Sequence, residues 1–188
     1  MVKKLLAVPA VVLTNPKYKH NVGGVLRACS CFAVPTLIWT GNRVVIDKDL
    51  GERLPREERM KGYRNVTWTW SDRPFGLLAR DVVPVAVEVF ESSTPLTYFE
   101  HPEKAVYVFG PEDGSVNQMW RRLCHRFVYI PAHHCLNLAA AVNVVLADRM
   151  TKRQLAGTQD ILPVAEMLNE HRGYCETPAL DQVGWDGK

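Results

Sequence analysis

No run of apolar residues in this 188-residue chain approaches the ~20 needed to span a bilayer, so the sequence predicts no membrane-embedded segment. Cysteine offers no scaffold either. The five cysteines, Cys29, Cys31, Cys124, Cys135 and Cys175, are odd in number and include no Cys-x-x-Cys pair, which argues against a disulfide framework and a zinc ribbon. A reducing, cytoplasmic setting fits that usage. Excess charge of one sign is scarce: a formal net charge of +3 is compatible with an anionic partner and far too weak to establish one. There is no internal repeat and no long low-complexity tract. Met1-Val-Lys-Lys followed by Leu5 to Leu13 imitates a secretory signal, but Pro9 interrupts the apolar run and no A-x-A cleavage site follows. That stretch is expected to belong to the folded domain.

What remains is ordinary globular composition, 47% hydrophobic and 23% charged, in a chain long enough for one well-buried core and short for two. Short apolar runs recur at Ala10 to Thr14, Thr36 to Thr40, Val66 to Trp70, Val83 to Phe90, Ala105 to Phe109 and Phe127 to Ile130. Most lack polar alternation and read as strands buried on both faces, the mark of a parallel sheet covered by helices. Helical patterns at Asn21 to Ala33, Val116 to His125 and Leu136 to Lys152 separate several of them, which makes the fold α/β. Arg43 to Arg64, dense in charge of both signs, is either a solvated excursion or a loop that grips substrate. After Asp160 a short amphipathic pattern, Ile161 to Leu168, gives way to a tail rich in Gly, Pro and acid, expected to be loosely ordered. The expected division is a main domain over 1–155 and a C-terminal extension over 156–188.

Three stretches carry candidate chemistry. In His20-Asn-Val-Gly-Gly-Val-Leu-Arg-Ala-Cys-Ser-Cys31 the spacing of Val22, Val25, Leu26, Cys29 and Phe32 predicts one buried helical face, with Asn21 as N-cap. Gly23 and Gly24 each oppose that helix by about 1 kcal/mol. With Arg27 above them they suggest a bare surface for close approach of a ligand. The second stretch, Ala105-Val-Tyr-Val-Phe-Gly-Pro-Glu-Asp-Gly-Ser115, reads as a buried strand, a turn and a helix capped by Ser115 with Gln118. Gly110 and Glu112 lie beyond the carboxyl end of that strand, where α/β sheets bind ligands, although an ordinary strand-to-helix turn would look the same. In the third, Phe127 to Val142, a strand ends at Ile130-Pro131 and a helix apolar nearly all round follows, which must be buried on every side in the core or against a second subunit. His133, His134 and Cys135 have no fourth ligand placed by the sequence, so no metal is expected.

In this order the stretches resemble the three motifs of the SPOUT-class RNA ribose 2′-O-methyltransferases, the SpoU or TrmH family. Asn21-Val-Gly-Gly-Val-Leu-Arg27-Ala is similar to the first motif, Phe109-Gly-Pro-Glu-Asp-Gly114 to the second, and Ile130-Pro131 with Leu136-Asn137 to the third. The likeness runs from about Pro9 to Met150. It implies a parallel α/β sheet flanked by helices whose C-terminal part is tied in a deep trefoil knot, within the 1–155 domain. It implies a homodimer acting on structured RNA, tRNA or rRNA, with S-adenosylmethionine as cofactor. Arg27 would be the catalytic arginine, with Asn21, Glu112 and Asn137 shaping the site. Cofactor contacts would fall on the strand end with Val89 and Phe90, on Gly110 and Ile130, and on Cys135 and Leu136. Cys135 stands where the family usually has serine, and the loop before it is shorter than usual. The alternatives are a knotted RNA-binding protein without catalysis, or a base methyltransferase on the same scaffold.

Overall fold

The computed structural model describes residues 5–46, 64–163 and 166–167. Most of the charged excursion, Cys175 and most of the C-terminal tail lie outside the described residues. Contacts divide the chain into two units, Met1–Lys152 and Arg153–Lys188. Among its described residues the first carries seven strands: β1 (Ala10–Leu13), β2 (Thr36–Trp39), β3 (Thr67–Trp70), β4 (Val83–Val87), β5 (Thr94–Pro95), β6 (Ala105–Phe109) and β7 (Arg126–Tyr129). Their order in the sheet is β3-β2-β1-β6-β4-β7-β5, and every neighbouring pair is parallel. The apolar runs therefore mark the strands they were expected to mark. Only the two-residue β5 had no signal in the sequence.

Alternation along the strands sends successive side chains to opposite faces. Val11, Leu13, Leu37, Trp39, Tyr107 and Phe109 join one core, while Ala10, Val12, Ile38, Val106 and Val108 join the other. Two long helices, α1 (Lys19–Cys31) and α3 (Leu138–Leu155), cover the first face. A short one, α2 (Gln118–Arg121), contributes to the second through Trp120. Each aliphatic side chain fully buried in this way stabilises the fold by about 1.5–3 kcal/mol.

Helix α1 buries Val22, Val25, Leu26 and Cys29, as the spacing requires. It starts earlier than expected. Tyr18, not Asn21, is the N-cap, and Asn21 is a buried residue of the first turn whose side chain serves distant partners. Gly24 also has a different reason from open approach: a Cβ there would lie 2.9 Å from the Cβ of Ala139. The glycine lets α1 meet the first turn of α3 nearly backbone to backbone. Helix α2 is shorter than the expected Val116 to His125. Its cap is Asn117, whose side chain accepts from Trp120 N, rather than Ser115. Beyond Arg121 the chain leaves the helix, because the His125 amide donates to Pro84 O and pulls the segment into register beside β4.

Helix α3 begins at Leu138, and it is not buried on every side. Leu138, Val142, Val145 and Leu146 face the chain's own core, whereas Ala140, Asn143 and Val144 are exposed. In the second unit, the helix end closes with a Schellman motif: Thr158 N donates to Arg153 O and Gly157 N to Gln154 O, with Gly157 at φ +66°.

Candidate active site

The parallel strands all present their carboxyl ends to one edge, and the loops leaving β1, β6 and β7 are joined there by side chains. Glu112, in the loop after β6, accepts from the backbone amides of Lys17 (2.7 Å) and Tyr18 (3.4 Å), supplying the cap that α1 lacks locally. Its Oε1 also accepts from Asn21 Nδ2 at 2.5 Å. Asn21 Oδ1 in turn accepts from Asn137 Nδ2 at 3.0 Å, and Asn137 Oδ1 caps α3 by accepting from Ala139 N and Ala140 N. Three polar residues from the three stretches thus form one hydrogen-bonded chain. Arg27 lies on the same helix as Asn21, one turn beyond Gly24, and is exposed.

Beside this chain lies a cleft of about 420 Å³, within the size range of small-molecule sites. Val89, Ile130, Cys135 and Leu136 line it, together with Val87 and Glu88. Phe90 and Gly110, also expected at the cofactor, are not among the residues that line the cleft. Phe90 packs edge-on against Phe127, with the Arg121 guanidinium 5.0 Å from its ring centroid. Gly110 is a packing position, where a Cβ would lie 2.7 Å from Val116 N and 2.9 Å from Ser115 C. Among the described residues no group of His, Cys, Asp or Glu is arranged to hold a metal ion, and no helix is long and apolar enough to cross a membrane. Burial pushes the Cys124 thiol up to about 12 and that of Cys29 higher still, which leaves neither suited to nucleophilic chemistry.

A family model for the SpoU rRNA methylases matches residues 9–147. The chain belongs to the SpoU rRNA methylase family. No curated protein matches it in sequence. Among solved structures it is similar to the TrmH/SpoU tRNA modifying enzyme of A. aeolicus, at 20% identity and TM-score 0.63, covering 83% of this chain and 78% of that one. A second is AviRb of Streptomyces viridochromogenes in complex with AdoMet, at 18% identity and TM-score 0.59. That match covers 81% of this chain but only 62% of AviRb. A third, described for 2-OH methylation of C/U34 on tRNA, is 22% identical with TM-score 0.62 and is covered over 96% of its length, against 79% of this chain.

In this SpoU-family chain the second stretch contributes a charged tether, and the wall of the cleft holds a residue that sequence reasoning missed. Glu88 follows the buried run of β4, and its Oε2 accepts from Val116 N at 3.1 Å while Oε1 accepts from Val89 N at 3.1 Å. Its only signal was a lone carboxylate inside Val87-Glu-Val-Phe90. At Glu112, burial works to raise the pKa, but the bonds from Asn21, Lys17 N and Tyr18 N outweigh it and hold the carboxyl below its ordinary value. The stabilisation is therefore complete above the unfolded value of about 4.3 and is lost as pH falls through the folded value. Glu112→Gln is expected to lower stability by about 1 kcal/mol at neutral pH, since an amide cannot accept from three donors at once. Thermal unfolding against pH checks this. The gap between the two proteins should narrow below pH ~4, and a gap that stays constant would show that the charge is not what stabilises.

Proposed function

We propose that this chain transfers a methyl group from S-adenosylmethionine to a ribose 2′-hydroxyl of structured RNA, tRNA or rRNA. Family membership carries the coarse statement, an RNA methyltransferase. The observation that carries the finer reading is the bonded chain Glu112–Asn21–Asn137 beside the cleft, which gathers the three stretches at the foot of the helix bearing Arg27. The cleft fits the cofactor in size and character: Val87, Val89, Ile130 and Leu136 offer apolar walls. When bound there, S-adenosylmethionine supplies an electrophilic methyl on a sulfonium.

The work left to the protein is electrostatic and positional. A guanidinium is a poor base, so Arg27 serves as a fixed positive charge for the alkoxide that develops on the ribose oxygen. The proton leaves to a substrate phosphate or to water. Asn21, Glu112 and Asn137 act on the reaction by holding α1 and α3 in register, so that Arg27 is presented at a fixed place. Gly24 contributes by allowing the helices to close. The same reading includes a C-terminal trefoil knot within 1–155, a homodimer through α3 and a cytoplasmic location.

S-adenosylmethionine is expected to bind the purified protein without RNA, because the cleft walls belong to the folded chain itself. Titration calorimetry tests this, and the absence of heat or of thermal protection at millimolar cofactor would overturn the proposal. Mass spectrometry of nucleosides from total RNA, with and without the gene, then identifies whether a ribose or a base carries the methyl.

A further inference from the structure

The half of the carboxyl edge away from the cleft, over β3, β2 and β1, carries an aromatic and basic rim that methyl transfer alone does not require. Trp68 and Trp70 alternate onto the same face of β3. Trp68 is partly buried and stacks on Trp39 with ring centroids 5.9 Å apart, whereas Trp70 emerges at the strand end, 50% exposed. Its indole is anchored, since Nε1 donates to Gly41 O at 2.6 Å. Gly41 has φ +77° and packs so closely on the Asn15 side chain that no Cβ would fit. Asn15 O accepts from the Arg43 guanidinium, whose Nη1 is bonded to both oxygens of Asp113 at 2.9 and 3.0 Å. Asp113 also pairs with Lys17 Nζ at 3.3 Å, and that ammonium sits 5.3 Å from the centroid of the Tyr18 ring. Tyr18, 44% exposed, stacks on His20 with centroids 5.2 Å apart and planes 15° apart.

A continuous line of contacts therefore runs from Trp70 to His20 and ends at the first turn of the helix that bears Asn21 and Arg27. Both aromatic groups are held in place by neighbours and still exposed, so little side-chain freedom would be lost on binding. The cations along the line, Lys17 and Arg43, share a single carboxylate, and the other nearby acid, Glu112, is engaged by amides. The rim is thus suited to an anionic ligand with flat faces. Bases inside a duplex are already stacked on each other, which leaves an unpaired segment as the fitting partner.

We infer that Trp70 and the Tyr18–His20 pair are stacking platforms for bases of an unpaired RNA segment, which crosses the carboxyl ends of β3, β2 and β1 toward Arg27. This rests on the RNA methyltransferase reading for its direction, not for its chemistry. The distance from β3 to β1 is about 10 Å, two strand spacings, room for a few nucleotides.

The test uses a fluorescently labelled single-stranded oligoadenylate and the full chain, without cofactor, read by anisotropy. Trp70→Leu and Tyr18→Leu should each weaken binding about tenfold, the scale of one lost base stack. Trp70→Phe and Tyr18→Phe should keep most of the affinity, although the former also loses the bond to Gly41 O. Inorganic polyphosphate should bind wild type and all four variants alike, because no cation is touched. Leucine variants that bind as wild type does, or phenylalanine variants that fall as far as leucine, would overturn the inference. Calorimetry with S-adenosylmethionine on the same proteins separates the two readings: cofactor binding with no leucine effect sinks the platform alone. A clear leucine effect without cofactor binding sinks the methyl transfer and leaves the platform standing.

Discussion

Arg27→Ala is expected to lower the single-turnover rate of RNA methylation by a hundredfold or more while leaving S-adenosylmethionine affinity almost unchanged. The magnitude is that of losing one preorganised group aimed at charge that exists only in the transition state. The separation of rate from binding follows from position, because Arg27 is an exposed residue of α1 while the cleft is walled by the ends of β4 and β7 and the loop before α3. Lysine keeps the charge but loses the planar fork, so Arg27→Lys should recover only a small part of the rate if the hydroxyl and a neighbouring phosphate are held together. The competing view is that Arg27 only grips phosphate. In that case alanine would weaken RNA binding, most visibly at high salt, and saturating RNA would restore the rate. Full wild-type rate at saturating RNA would falsify the catalytic role.

The second large effect contrasts two neighbouring valines of α3. Val145 is completely buried against the chain's own sheet, whereas Val144 is 38% exposed on the opposite side of the helix, beside Ala140 and Asn143. Val145→Glu places a carboxylate in an apolar core without a partner, at a penalty of several kcal/mol, comparable with the whole stability of a domain. The expected product is an unfolded or insoluble chain, and the same holds for Val142. Val144→Glu leaves the core intact. If the exposed face of α3 is the subunit interface, this variant should fold with nearly unchanged thermal stability and sediment as a monomer at concentrations where wild type is a dimer. A wild type that is monomeric at micromolar concentration removes the homodimer from the proposal.

Strand positions were legible because burial on both faces writes an unbroken run without charge: in Ala105 to Phe109 all five side chains are buried, and the one polar group, the Tyr107 hydroxyl, is bonded to His101 Nδ1. The buried stripe of α1 was legible for the same reason. Helix starts were not. The preference of asparagine for N-caps is local, and it placed the start of α1 at Asn21; the actual cap is completed by Glu112, which arrives from the loop after β6. Asn137 shows the complementary case, since its local preference and its observed role as the cap of α3 agree. Gly24 was readable as a position where bulk is excluded, yet nothing nearby in sequence names Ala139 as the group that excludes it. The apolar run at the start of α3 likewise announces burial without saying which of Val142, Val144 and Val145 faces home. Among the site residues, types and order were readable, and the bonds between them were not. Those bonds join segments whose proximity only the strand order creates.

The tether of residues 21, 112 and 137 also bears on the order in which the molecule matures. Contacts between segments this far apart in the chain are slow to form, because loop closure must be achieved before they contribute. On the ribosome, Asn21 emerges long before Glu112, and Glu112 before Asn137, so the N-terminal end of α1 waits for its cap until β6 has been made and for its link to α3 until Asn137 has followed. A nascent chain carries the glycines and Arg27 early but lacks the Glu112 cap and the Asn137 link until those residues follow. The site is therefore completed in two steps, first at the N-terminal end of α1 and then at its junction with α3.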